Sequence, residues 1–199
     1  MGLLSIAWAD GNFDESERHL IEDVLSDEDN INLDQAFQPL SREVLQADIG
    51  TDPADAENFV KTAVMVALAD GLYSSAEDDI LRQYCEALNL EHTVLDPLRS
   101  TLDGQAAGPA LAHAPDLLAP VRDWLDGVEV KDPKVARFLC RLIPADCPFE
   151  RDVVLFGKKI VHIPAMCKIN PLYEQLVGLR FRSLSYLADD CHEDVSPYL

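Results

Sequence analysis

Basic side chains are scarce in this chain. Sixteen Lys and Arg stand against 36 Asp and Glu, a formal net charge of −20 over 199 residues. The deficit is uneven: residues 1–120 carry 5 basic and 24 acidic side chains, net −19, whereas residues 121–199 carry 11 and 12. So acidic a half repels phosphate backbones, which argues against nucleic-acid binding and points to cations or basic protein surfaces. No apolar run approaches the roughly 18 residues needed to span a bilayer. The opening MGLLSIAWAD lacks the basic stretch of a secretory signal, and Ile6 stands where myristoylation needs Ser or Thr. Cysteine is sparse, five in all and with no Cys-x-x-Cys; reduced thiols and a cytoplasmic location are expected. There is no P-loop, dinucleotide glycine pattern, Gly-x-Ser-x-Gly or His-Glu-x-x-His. The five histidines (19, 92, 113, 162, 192) are scattered, so catalysis is the least favoured reading.

What is present is a repeat. The most apolar run, Ala63 to Leu68, ends at Ala69-Asp70-Gly71 and restarts at Ser74-x-x-Glu77. The same grammar occurs 60 residues earlier as Ala9-Asp10-Gly11, then Asp14-x-x-Glu17. Each copy reads as a helix, a glycine stop and a capped second helix.

Periodicity places helices over 3–9, from Asp14 through Leu25, over 33–47 with Pro39 in its first turns, and from Asp52-Pro53 to about Ala69. Two more follow, Ser74 to Asn89 and 91–102. Residues 103–115, rich in Gly, Ala and Pro, read as a linker. Beyond it come helices capped by Asp116 and by Asp132, the latter ending near Ile143, and then β-branched runs around Gly157-Lys158 that signal a hairpin. A last helix opens at Asn170-Pro171; it is apolar on most sides and is expected to be the buried element of its domain. The fold class is mainly α: an all-helical domain over 1–102, a linker over 103–115, and a small α+β domain with one β-hairpin over 116–199.

The paired Ala-Asp-Gly stops, with Glu17 and Glu77 behind them and Ala87-Leu88-Asn89-Leu90 further on, resemble the tellurite-resistance TerB-like domain over about 1–102. That group is all-helical and related to the N-terminal module of the DjlA co-chaperones. The resemblance implies divalent-cation binding by Asp10, Asp14, Glu17, Asp70 and Glu77. Ser74 departs from the pattern, standing at the position of Asp14.

Further on, Cys140-Arg141-Leu142-Ile143-Pro144-Ala145-Asp146-Cys147-Pro148-Phe149, His162-Ile163-Pro164, Cys167-Lys168 and Asn170-Pro171-Leu172-Tyr173-Glu174 resemble a cyanobacterial family named for a Mo-dependent nitrogenase C-terminus. Nothing in these residues resembles the cluster-bearing nitrogenase subunits, so nitrogen metabolism is implied by the family's name alone.

Three candidate sites emerge. At the acidic turns, helix capping and cation ligation use the same residues, and both readings stand. An EF-hand is excluded, because Glu15 and Ile21 occupy the places of its glycine and glutamate. Cys140, Cys147, Cys167 and Cys191 fall within one small domain and suit zinc or an iron–sulfur cluster, or else core packing, as does Cys85. Lys158, Lys159 and Lys168, with Arg180 and Arg182, make a locally basic region for a protein partner; one of the arginines is expected to pair with Glu174 or Asp189. The function expected is a non-catalytic adaptor or sensor that binds a protein partner and a divalent cation. Its rival is a redox or metal-carrying protein built on the thiols.

Overall fold

The computed structural model describes residues 2–7, 9, 38–50, 52–69, 73–101, 118–143, 145, 151–155, 158–163, 170 and 172–199. The expected helix after Asp14, residues Leu33 and Phe37, the 103–115 linker and the Asp116 cap lie outside them.

The central helix starts where two local preferences agree. Pro53 has no N–H to waste in a first turn, and Asp52 Oδ1 accepts from Ala54 N at 2.9 Å. With α1 at Gly2–Ala7 and α2 at Arg42–Ile49, this helix is α3, Pro53–Ala67. Every residue from Ala63 to Ala69 is buried, as an all-round apolar stretch must be. Helix α1 crosses it closely at Gly2, where a Cβ would stand 3.0 Å from the Phe59 ring. Tyr84 ties the first elements together. The Ser5 hydroxyl spends its proton on the Gly2 carbonyl at 2.9 Å, so Tyr84 donates to Ser5 Oγ at 2.7 Å and accepts from Leu40 N at 3.1 Å.

Helix α2 differs from the 33–47 expectation. Residues 38–41 are not helical, Ser41 is the N-cap, and Pro39 lies ahead of the helix. Val44, expected inside, is 45% exposed, while Leu45 carries the burial. Helix α4, Ser75–Ala87, ends as expected at Asn89, whose φ of 57° is left-handed. The helix expected over 91–102 is a 3₁₀ helix, Thr93–Thr101. Pro97 sits inside it, lacks a donor and disfavours the α conformation at Asp96. Leu95 and Leu98 still reach the core.

The rest of the chain comprises α5 (Ala119–Leu125), α6 (Pro133–Leu142), strands β1 (Arg151–Leu155) and β2 (Lys158–Ile163), and α7 (Tyr173–Ser185), which runs into a π-helical turn, Tyr186–Asp190. The strands pair antiparallel, Arg151 opposite Ile163 and Leu155 opposite Lys158. Helix α6 is capped as expected by Asp132 Oδ1, which accepts from Lys134 N at 2.7 Å and Val135 N at 3.0 Å.

Helix α7 runs from Tyr173, and Asn170 leads into it as expected, its Oδ1 accepting from Leu172 N at 2.9 Å. The helix departs from expectation on two counts. One face is open, with Val177 46% and Phe181 69% exposed. And neither Arg180 nor Arg182 is shown on Glu174 or Asp189: Arg180 donates to the carbonyls of Ile143 and Tyr198, and Arg182 to that of Asp126. Carbonyls at chain turns have no intrahelical partner and are open to accept from a guanidinium.

The larger result concerns the core. One continuous apolar cluster runs from Leu4 through Leu98 and on through Val121, Leu125, Leu139, Leu172, Leu176 and Leu179. A small satellite gathers Ala136, Cys140 and Leu187. Among the described residues no helix is long and apolar enough to cross a membrane.

Candidate functional site

The second acidic turn leads into α4. Ser74 Oγ accepts from Glu77 N at 3.2 Å, and Glu77 Oε2 accepts from Ser74 N at 2.7 Å and Ser74 Oγ at 2.8 Å. This is the reciprocal cap read from the sequence, and it uses the only candidate acid of the turns that is described. Asp10, Asp14, Glu17 and Asp70 lie outside the described residues. Within those that are described, no group of three or more His, Cys, Asp or Glu is placed to hold a metal.

The next residue, Asp78, was not singled out by sequence reasoning. It is 2% exposed and accepts from Tyr73 Oη at 2.9 Å, Arg82 Nε at 2.9 Å, and Arg99 Nε and Nη2 at 2.9 and 2.7 Å. Burial alone raises a carboxyl pKa; here the bonds from Arg82, Arg99 and Tyr73 outweigh it and hold Asp78 below the usual carboxylate range. Tyr73 is pushed up, by its own burial first and then by the Asp78 charge. Arg82 continues the network to Asp96 at 3.0 Å and His92 Nδ1 at 3.1 Å. A guanidinium only donates, so His92 Nδ1 is the acceptor. The network binds α4 to the 3₁₀ helix and offers no nucleophile. Its legible signal was the i,i+4 pair Asp78–Arg82; Arg99, 21 residues on, had none.

Of the thiols, Cys140 and Cys191 pack about the Leu187 cluster, while Cys147 and Cys167 lie outside the described residues. Burial raises the Cys140 thiol and pushes Cys85 up to about 11. Lys158 and Lys159 fall on β2, and Lys168 lies outside the described residues.

Against this geometry the comparisons take their meaning. Residues 1–100 match the family model described as Tellurite resistance protein TerB. The chain belongs to the TerB family. Residues 117–199 match a second model, described as Mo-dependent nitrogenase C-terminus, so the TerB half is joined to a segment of another family. No curated protein and no solved structure matches the chain.

The TerB half and the C-terminal segment meet along α3. Trp124 Nε1 donates to Glu57 Oε1 at 2.8 Å, and Lys61, 3.1 Å from the same carboxylate, stands 5.5 Å from the centre of the Trp124 ring. The Lys61 hydrogen bond lowers the Glu57 pKa against the opposing effect of burial, with Trp124 assisting. At the next residue, the Asn58 amide reads a backbone: Nδ2 donates to Glu129 O and Oδ1 accepts from Glu129 N, both at 2.8 Å. At the other end of the helix, Asn170 Nδ2 donates to Leu68 O at 2.8 Å. Sequence reasoning assigned none of these three contacts.

Proposed function

We propose that this protein is a non-catalytic adaptor or sensor whose TerB half binds a hard divalent cation through Asp10, Asp14, Glu17, Asp70 and Glu77, and whose C-terminal segment engages a protein partner through its basic region at Lys158, Lys159 and Lys168. The observation that carries the cation reading is the repeat itself: two Ala-Asp-Gly turns 60 residues apart, each with a glutamate seven residues after its aspartate, in a half of net charge −19. The donors are all carboxylates, the oxygen ligands that calcium and magnesium take and zinc does not prefer. A link to nitrogen metabolism follows from the second family's name and carries no residue-level argument.

Calcium or magnesium should raise the melting temperature with saturation, because a ligand specific to the native state stabilises it in proportion to occupancy. Glu77→Gln should abolish that rise. Calorimetric titration without saturable heat at millimolar cation retires the proposal. The rival thiolate site on Cys140, Cys147, Cys167 and Cys191 demands near-stoichiometric iron or zinc in anaerobically purified protein, with loss of the metal in any single Cys→Ser variant.

A further inference from the structure

Two polar side chains on α7 are buried without being satisfied. Among the described residues, the buried side-chain polar atoms without a hydrogen-bond partner in the protein are Gln175 Oε1 and the Nε and Nη2 of Arg182. Buried polar groups are nearly always paired, because an unpaired one is costly. Gln175 is only 8% exposed. Both side chains reach the end of α5: Arg182 Nη1 donates to the Asp126 carbonyl at 2.9 Å, and Gln175 Nε2 lies 3.5 Å from Asp126 Oδ1. That leaves the whole Nε/Nη2 edge of Arg182, where two N–H groups point the same way and match the two oxygens of a carboxylate. The same edge of Arg99 holds Asp78, and that of Arg137 holds Glu193. Gly178 stands between the pair, three residues after Gln175 and four before Arg182, and so on one strip of the helix with them. A Cβ built on Gly178 meets nothing within 4 Å, so there is open space at the middle of the strip. Asp126 itself is exposed.

We infer that this strip of α7 is a binding site for a free α-amino acid, its carboxylate on the Nε/Nη2 edge of Arg182 and its ammonium on Gln175 Oε1 beside the Asp126 carboxylate. The acceptor separates an amino acid from a simple anion. Acetate offers oxygens to Arg182 but leaves Gln175 Oε1 unpaired and meets the charge of Asp126. A chain of net charge −20 also repels a free anion, whereas a zwitterion has no net charge to repel. The site is apart from the acidic turns and from Lys158, Lys159 and Lys168, and depends on neither of those readings.

The common L-amino acids are tested singly on the full chain by thermal shift, and those that raise the melting temperature are titrated by calorimetry. Acetate, ethylamine and inorganic phosphate probe the separate charges. At least one amino acid should bind saturably, and these probes at least about tenfold more weakly, since each forfeits a charge-assisted bond. Arg182→Lys keeps the charge and loses the fork; Gln175→Met keeps the volume and loses the acceptor. Each should weaken binding about tenfold. Gly178→Leu alters neither polar group and enters open space within a helix; it should abolish binding by filling the strip. Arg137→Gln, which loosens only the pair with Glu193, should bind as the wild type does, and circular dichroism checks that every variant is folded. The proposal is overturned if no amino acid binds saturably, or if acetate or phosphate binds as tightly as the best of them. Undiminished binding in Arg182→Lys, Gln175→Met or Gly178→Leu overturns it too, as does equal weakening in Arg137→Gln. So does a crystal structure grown with the amino acid that shows only an ordered water on Arg182 and Gln175.

Discussion

The TerB half and the C-terminal segment use their basic residues in opposite ways. The first 120 residues contain five Lys and Arg, and two of them, Arg82 and Arg99, converge on a single buried aspartate. The C-terminal segment has eleven and distributes them: Arg180 and Arg182 on carbonyls, Arg137 on Glu193, and Arg141 5.8 Å from the centre of the Tyr198 ring. A half short of cations concentrates them where burial makes a charge expensive. A half rich in them pins its own turns and tail. Single losses should therefore be severe in the first case and modest in the second.

The sharpest test separates the halves altogether. Because one apolar cluster serves both, cleavage between residues 103 and 115 should leave two pieces that co-elute on size exclusion. Residues 1–102 expressed alone should melt more than about 10 °C below the full chain, several kcal/mol at this size. Pieces that part after cleavage and keep their melting temperatures would make the halves independent. Next in size is Asp78→Asn. Removing one member of a buried ion pair strands its partners, and about 3 kcal/mol is expected, at the lower end because Arg99 is half in water.

Acid should act at the same place. Asp78 titrates lower folded than unfolded, so its contribution is complete above the unfolded value of about 3.9 and fades as pH falls through the folded one. The difference in melting temperature between wild type and Asp78→Asn should accordingly shrink below about pH 4. Arg180→Ala is the counterpart in the C-terminal segment, freeing the Ile143 and Tyr198 carbonyls at a cost of about 1–2 kcal/mol by denaturant unfolding. A loss as large as that of Asp78→Asn would erase the contrast between concentrated and distributed charge. Smallest, and opposite in sign, is Gly178→Ala: a Cβ there meets nothing within 4 Å, and a glycine inside a helix gives up about 0.5–1 kcal/mol that alanine restores.

Local chemistry was legible wherever both partners lie within one turn. Asp52-Pro53, Ser74 with Glu77, Asp132 before Pro133 and the stop at Asn89 all follow from which backbone groups a helix end leaves open, and the structure holds each of them. The 3₁₀ helix at Thr93–Thr101 was legible in part: Pro97 signalled the disturbance, while the apolar spacing of Leu95 and Leu98 fits either helix.

The contacts that join the halves were beyond such reasoning. Asn58 reads Glu129 across 71 positions, Trp124 meets Glu57 across 67, and Asn170 caps Leu68 across 102. No periodicity or capping rule connects residues so far apart, and an asparagine that pairs with a distant backbone is indistinguishable in sequence from one that starts a helix. Asn170 does both: its Oδ1 makes the local bond to Leu172 N that the sequence signalled, and its Nδ2 makes the distant one to Leu68 O. The sequence by itself determined the repeat, the acidic imbalance, the helix ends and both family assignments, since each depends on near neighbours or on composition. Only the tertiary structure decided that the two families share one core and that α3 is held from outside at both ends, because those contacts exist only once the chain has brought distant groups together and excluded water from between them.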